Sequence, residues 1–418
     1  MGAWLALAAV FVGAEAADFV HGGTKRILFG SCNKQHAPQP LWAVMTRAEA
    51  EAFFWTGDAV YPNRSDAAAL EVALGLQRER PEYRRFLETV SVVDGTWDDH
   101  DLGVNDAGKE LRDSERRLRA YVDFLAKESA QKSFYEERSA LALERGGAYS
   151  SHIFVFSLQG GENIKAKVIL LDTRSFRDSY LVPSVGAKFR GAFIVGRLMP
   201  LLAAAVRLST MWLADFIGYR GDVLGERQWQ WFEDELQEPS NYTIVVSSIQ
   251  FATSNPSFES WGHFPRAKRR FLGVLRRTEP RGFLLVSGDV HHAEAAQIKG
   301  AASFREVTSS GLTHTLATSK VTRLLFPPLL AFFSKHRPPL EEHQPLKNYA
   351  TELNYGQIDF KTHTMVVTVR GLDGEPLIPA VVVDPTPYEA NNVDDDECSS
   401  SFFSKGASAW SSLIWWRS

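Results

Sequence analysis

Four times along this chain a short run of branched or aromatic residues stops abruptly in a polar cluster: ILFGSCN, FFWTGD, VSVVDGTWDDHD and LLVSGDVHH. Short apolar runs of this kind read as buried strands. A strand end is rigid and anchored by its backbone, so carboxylates, imidazoles and a thiol placed there can converge on one point. Chemistry is therefore expected where the strands of a sheet end.

The remaining pattern is mixed α and β. Strands are expected at Arg26 to Phe29, Ala52 to Trp55, Val90 to Val93, Val168 to Leu171, Thr243 to Ile249 and Phe283 to Val286. A helix is expected over Asp66 to Leu87, where Ala, Leu and Glu dominate up to Pro81, and another over Gly225 to Leu236. In the second, Trp229, Phe232 and Leu236 share one face and should pack on a sheet. TMVVTVRGLDGEPLIPAVVVDP has the strand, turn, strand form of a hairpin that closes a sheet edge. With 418 residues, 44% of them hydrophobic, the chain can bury a large core without disulfides. The net charge of -4 provides no basic field for DNA or RNA, so nucleic acid is excluded as the main partner.

Residues 1–16 combine a short apolar stretch with Ala14-Glu15-Ala16, the small-x-small pattern of a cleaved secretory signal. The chain is accordingly expected to be secreted. Two glycosylation sequons, at Asn63 and Asn241, fit that route. Only Cys32 and Cys398 are present, so at most one disulfide can form. Apolar stretches near 182–220 and 320–345, interrupted by arginines and prolines, are too broken to span a bilayer. They are read as a lid or core segments, with contact to a membrane surface as the alternative. The acidic, Ser-rich residues 386–418 are read as a disordered tail, leaving 17–385 as the folded unit.

Hydrolysis of a phosphate ester needs charge neutralisation on the phosphoryl oxygens, an activated water and protonation of the leaving group. Asp58 in GDAVY is the candidate carboxylate bridging two ions. Tyr61 and Cys32 can add a phenolate and a thiolate, anionic donors that favour ferric iron over magnesium. Asn105, with Asp58 and Asp289, suits a calcium-like second ion. The crowd of Asp98, Asp99, His100 and Asp101 demands cations or protonation; residue type leaves open whether Asp98 or Asp99 ligates metal. His100 is the candidate general acid. Asp289 and His291, alternating in SGDVHH, should face one side of an extended segment, with His292 pointing away. Arg174 and Arg177 are candidate phosphate-binding groups, with salt bridges to Asp172 or Asp178 as the alternative.

Taken together, FGSCN, GDAVY, TWDDHDLGVND, LLDTRSFRD, LGERQWQWFEDEL, SGDVHHAE, VTSSGLTH and NYGQIDF resemble the PhoD-like alkaline phosphatases, a branch of the metallophosphoesterases. The resemblance implies a two-sheet β-sandwich flanked by helices, an αββα arrangement, with a centre of ferric iron and calcium, although other divalent metals can substitute. It implies iron held by Cys32, Asp58, Tyr61, Asp289 and His291, and calcium held by Asp58, Asn105 and Asp99. His100 and Arg174 would face the phosphate. The activity implied is hydrolysis of phosphomonoesters on small phosphorylated substrates. Two alternatives stand beside it: a phosphodiesterase or phospholipase at a membrane surface, and an inactive binding protein that keeps the fold.

Overall fold

The computed structural model describes residues 19–22, 26–111, 113–126, 132–157, 163–181, 207, 209–211, 213–214, 216–253, 255, 258–297, 304–318, 347–361 and 363–388. The expected leader, most of the apolar stretch 182–220, the whole of 320–345 and the tail from 389 onward lie outside these residues.

Alternation along the strands sets the layers. In β2 (Arg26–Gly30) Ile27 and Phe29 face one cluster of buried side chains while Leu28 faces another. The same alternation separates Phe54 from Phe53 in β3 (Ala52–Thr56) and Ile244 from Val245 in β7 (Tyr242–Val246). Side chains of period two with both faces apolar require a layer on each side of the sheet. Two sheets therefore share one apolar interior, and helices cover both outer faces.

Among the described residues the smaller sheet has six strands. β2, β3 and β4 (Val92–Thr96) run parallel, and β12 (Tyr355–Phe360), β13 (Met365–Arg370) and β14 (Val381–Val383) continue it antiparallel. The expected hairpin is β13 and β14, and it does close that edge. Among the described residues the larger sheet has eight strands, including β5 (Ser150–Ser157), β6 (Asn163–Leu170), β7, β8 (Phe283–Ser287), β9 (Ala293–Gln297) and β10 (Arg305–Ser309). β1 (Phe19–Gly22) and β11 (Tyr349–Ala350) form its edges.

α1 (Leu41–Met45), α2 (Ala67–Arg78), α3 (Pro81–Leu87), α4 (Ser114–Leu125) and α5 (Lys132–Arg145) lie at the smaller sheet. The stretch read as one helix over Asp66 to Leu87 is two. Asp66 caps the first through its carboxylate and the Ala69 amide at 2.9 Å, and Pro81 starts the second, where a missing N–H costs nothing. α6 (Gly225–Gln237) and α7 (Pro265–Thr278) cover the larger sheet, with Trp229, Phe232 and Leu236 buried against Phe271 and Val245 as expected.

Several expected boundaries move, most of all the start of β6, which is Asn163 rather than Val168. The fourth strand begins at Val92 rather than Val90, because Ser91 and Val92 first bond the Glu51 carbonyl. The strands expected to reach Leu171 and Ile249 stop at Leu170 and Val246, where the chain turns into the site. Residues 386–388, expected in the tail, are held: the Gly282 amide donates to the Thr386 carbonyl at 2.9 Å, and Tyr388 is buried.

Candidate metal centre

The polar clusters converge because six strands deliver a residue at the same distance from their ends. Two residues beyond β2, β3, β4 and β8 come Cys32, Asp58, Asp98 and Asp289. The same step beyond β6 and β7 reaches Asp172 and Ser248. Cys32, Asp58, Asp289 and His291 all have left-handed backbones, with φ of 62°, 53°, 68° and 57°. Non-glycine residues rarely adopt that conformation, and it concentrates where a site demands a sharp turn. Residues 289–291 are thus a pair of turns and not the extended segment expected from alternation; the strand has already ended at Ser287.

Two glycines let the ends of the two sheets meet. A Cβ on Gly288 would lie 2.3 Å from the Thr56 carbonyl oxygen and 2.5 Å from the Ser31 hydroxyl. One on Gly57 would lie 2.6 Å from the Asp98 Cβ. Each precedes an aspartate, so Gly-Asp combines close backbone approach with a carboxylate.

Asp58, Asp98, Asp99 and Asp289 each offer an oxygen, and these atoms lie within 4.8 Å of one another. A second grouping joins Asp58 and Asp99 to His100. Donors reach some of these oxygens: Asp98 Oδ1 accepts Arg174 Nε and the Ser248 hydroxyl, the latter at 2.9 Å. Asp58 accepts the Tyr61 hydroxyl at 2.6 Å and the His100 amide at 3.3 Å, and Asp99 accepts the Asp106 amide at 2.7 Å. The buried atoms Asp98 Oδ2, Asp99 Oδ1 and His291 Nδ1 have no hydrogen-bond partner among the described residues.

Burial, then mutual repulsion, pushes Asp58 and Asp289 well above the usual carboxylate range. Burial raises Asp98 to about 7 against the pull of Arg174, and Asp101 to about 8. Burial also lowers His291 to about 3. Carboxylates that resist ionisation beside an imidazole that resists protonation are a donor set suited to cations.

Cys32 and Tyr61 close one flank. The thiol lies 3.5 Å from Asp58 Oδ2 and 3.0 Å from the Ser310 hydroxyl, and burial raises both its pKa and that of Tyr61. The Tyr61 ring packs against His100 at 4.2 Å and His314 at 4.9 Å, and His314 against His291 at 4.6 Å. Lys34 places its ammonium 5.4 Å from the Tyr61 ring centre. His292 is buried with its Nδ1 on the Val290 carbonyl, apart from the carboxylate cluster. Asn105 is half-buried in the loop that carries Asp99 and Asp106.

Arg174 and Arg177 are both buried, and neither pairs with Asp172 or Asp178. Arg174 bonds Asp98 through Nε and forks onto Glu259 at 2.8 and 2.9 Å; Arg177 lies 3.3 Å from the same Glu259. Asp172 instead accepts the Arg174 amide, and Asp178 pairs with Lys109. Arg174 thus anchors Asp98, so binding a phosphate would require its Asp98 or Glu259 bonds to be exchanged.

Glu259, Arg207, Asp106, Ser310 and His314 were missing from the sequence expectations. Asp106 and His314 stand inside the quoted motifs TWDDHDLGVND and VTSSGLTH. Glu259 and Arg207 sit in no recognisable pattern and reach the site only through tertiary contact, Arg207 by pairing with Asp106.

A family model described as PhoD-like phosphatase matches residues 73–370. Cys32, Asp58 and Tyr61 precede that span, yet the fold joins them to the residues within it. No curated protein matches the chain. Among solved structures, "Structure of PhoD" is similar at 15% identity and a TM-score of 0.51, covering 94% of this chain and 78% of that one, a likeness of fold. The GAP50 anchor in the inner membrane complex of Plasmodium has 8% identity and a TM-score of 0.44, covering 89% and 93% of the respective chains. A dimetal phosphatase from Danio rerio has 12% identity and a TM-score of 0.43, covering 86% and 99%.

Proposed function

We propose that this chain, which belongs to the PhoD-like phosphatase family and is a metal-dependent phosphoric ester hydrolase, acts on phosphate monoesters. The observation that carries the monoester reading is the basic flank of the centre. Lys34, its ammonium 5.4 Å from the Tyr61 ring centre, and the half-exposed His100, packed on the same ring at 4.2 Å, offer a phosphomonoester one cation and one imidazole.

Cys32, Asp58, Tyr61, Asp289 and His291 would hold ferric iron, and Asp58, Asp99 and Asn105 would hold calcium. Metal ions in such a site supply Lewis-acid stabilisation and an activated water. The protein's own groups do the rest. Asp58 lies between the thiol and phenol on one side and Asp99 with His100 on the other, the place for a shared ligand. Arg174, locked between Asp98 and Glu259, keeps the neighbouring Asp99 loop in position. His100 has its Nε2 4.0 Å from Asp99 Oδ1 on a side chain still partly open to solvent, where it can pass a proton to a departing oxygen.

Export through a cleaved leader at 1–16 belongs to the same reading, with glycosylation at the exposed Asn63. Among the described residues no helix is long and apolar enough to cross a membrane. Exposed apolar residues near 213–217 favour, as a second reading, phosphodiester or phospholipid cleavage at a membrane surface.

Hydrolysis of an aryl monoester, an aryl diester and a phosphatidyl lipid should be compared, alongside metal analysis and Asp58→Asn. Monoester turnover should dominate, with iron and calcium bound, and the substitution should abolish it. Faster lipid turnover would overturn the monoester reading, and metal-free wild type or an active Asp58→Asn would overturn the metal centre.

A further inference from the structure

Among the described residues, Arg207, Ser209 to Met211, Leu213, Ala214 and Phe216 are helical, and the first and last of them have different surroundings. Arg207 pairs with Asp106, whose amide in turn holds Asp99 at 2.7 Å. Nine residues on in sequence, at Phe216, the helical backbone ends in solvent, with the Ile217 amide on the Leu213 carbonyl at 3.0 Å. There Leu213 is 43%, Phe216 85% and Ile217 53% exposed, while Ala214 on the other face is buried. Single exposed apolar residues need no explanation, but three large ones at one tip amount to a patch.

A basic surface adjoins that tip. Tyr219 sets its ring 6.2 Å from that of Phe264, just before α7, and Arg220 lines a cavity of about 220 Å³ with Arg266 and Arg270. The carboxylates of the same cavity are engaged. Asp222 accepts the Val223 and Gly225 amides and the Trp229 indole, and Glu226 is forked by Arg270 at 2.7 and 2.8 Å. Arg220 and Arg266 are both exposed. α7, PRAKRRFLGVLRRT, contains no acidic residue, and Arg269 also points outward.

We infer that the tip at Phe216 and Ile217, together with Arg220, Arg266 and Arg269, docks the protein on an anionic phospholipid surface. The chemistry is that of an interfacial helix end: apolar side chains enter the boundary between headgroups and acyl chains, while guanidiniums remain at the level of the phosphates. The charge complementarity selects this occupant over a second copy of the chain, whose matching face would bring the same arginines against one another. The inference stands apart from the substrate preference proposed above, because it concerns binding and not turnover. Its consequence for the site is positional, since Arg207, which pairs with Asp106, lies nine residues before Phe216.

The test is sedimentation of the full chain with phosphatidylcholine vesicles, with and without phosphatidylserine, at low and high salt. Hydrolysis of a soluble aryl phosphate is measured in parallel. Wild type should bind the phosphatidylserine vesicles and release them in high salt. Arg220→Ala with Arg266→Ala should weaken binding about 30-fold, at about 1 kcal/mol for each basic side chain near an anionic surface. Phe216→Ser with Ile217→Ser should weaken it about tenfold or more. Both double variants should keep wild-type aryl phosphate hydrolysis, showing that they fold. Absence of binding by wild type, or binding indifferent to both double variants, would overturn the inference. So would a concentration-dependent dimer that Phe216→Ser dissolves without any vesicle binding.

Discussion

Two arginine–glutamate forks of nearly equal geometry sit in different surroundings. Arg174 meets Glu259 at 2.8 and 2.9 Å with both side chains 0% exposed, whereas Arg270 meets Glu226 at 2.7 and 2.8 Å with 37% and 65% exposed. Coulomb's law at contact distance would treat them alike; solvent does not. The exposed fork is screened and must hold two long side chains still, so Glu226→Gln should cost at most about 1 kcal/mol. Glu259→Gln leaves Arg174 and Arg177 facing one neutral amide inside the protein, and breaking a buried pair from one side costs about 3–5 kcal/mol. At a few degrees per kcal/mol or somewhat less for a chain of this size, Glu259→Gln should lower Tm by roughly 5–10 °C. Glu226→Gln should move it by about 2 °C or less. The same substitution loosens Arg174 and thereby Asp98, so activity of Glu259→Gln should also fall below the loss from unfolding alone. Thermal unfolding followed by circular dichroism, with kcat measured well below Tm, checks both. Equal Tm shifts for the two variants would refute the premise that burial, and not geometry, sets the worth of these pairs.

Chelation should destabilise the protein and protonate the cluster, because burial and mutual charge raise Asp58, Asp98 and Asp289. Returning metal in weakly buffered solution should release protons, and rebinding without proton release would contradict this account. Gly288→Ala must displace backbone at the Thr56 carbonyl and should cost about 2–3 kcal/mol, whereas Gly75→Ala, facing open space in α2, should gain about 0.5–1 kcal/mol. Urea unfolding of the two alanine variants should show shifts of opposite sign. His263 is held at about 4 by burial, against 6.5 in the unfolded chain. The unfolded state therefore binds the extra proton as pH falls below 6.5, and stability drops by about 3 kcal/mol by pH 4, on top of contributions from other groups. His263→Gln should flatten that part of the profile, and an unchanged slope would exclude it.

Strand existence was legible because β-branched and aromatic runs of four to six residues have few other uses, and the polar residues after them marked where a centre would form. The residues after β2, β3, β4 and β8 were accordingly placed together before any fold was known. Boundaries were less legible, since whether Val90 or Val92 begins a strand depends on which neighbour takes its hydrogen bonds. The turns at Asp289 and His291 were misread as extended for a related reason. Alternation in sequence is the same whether side chains share a face of a strand or are swung together by two left-handed residues.

What the sequence determined by itself is the chemistry of the centre: a thiol, a phenol, imidazoles and a crowd of carboxylates, each riding on a strand end. The pairing of charges was decided only by tertiary structure. Arg174 looked free to bind phosphate, or to bridge to Asp172 close by in the chain. In the fold it joins Asp98 and Glu259, 76 and 85 residues away. Local sequence carries no record of such partners, because a buried guanidinium takes whichever carboxylate the packing brings to it, and the packing belongs to the whole chain.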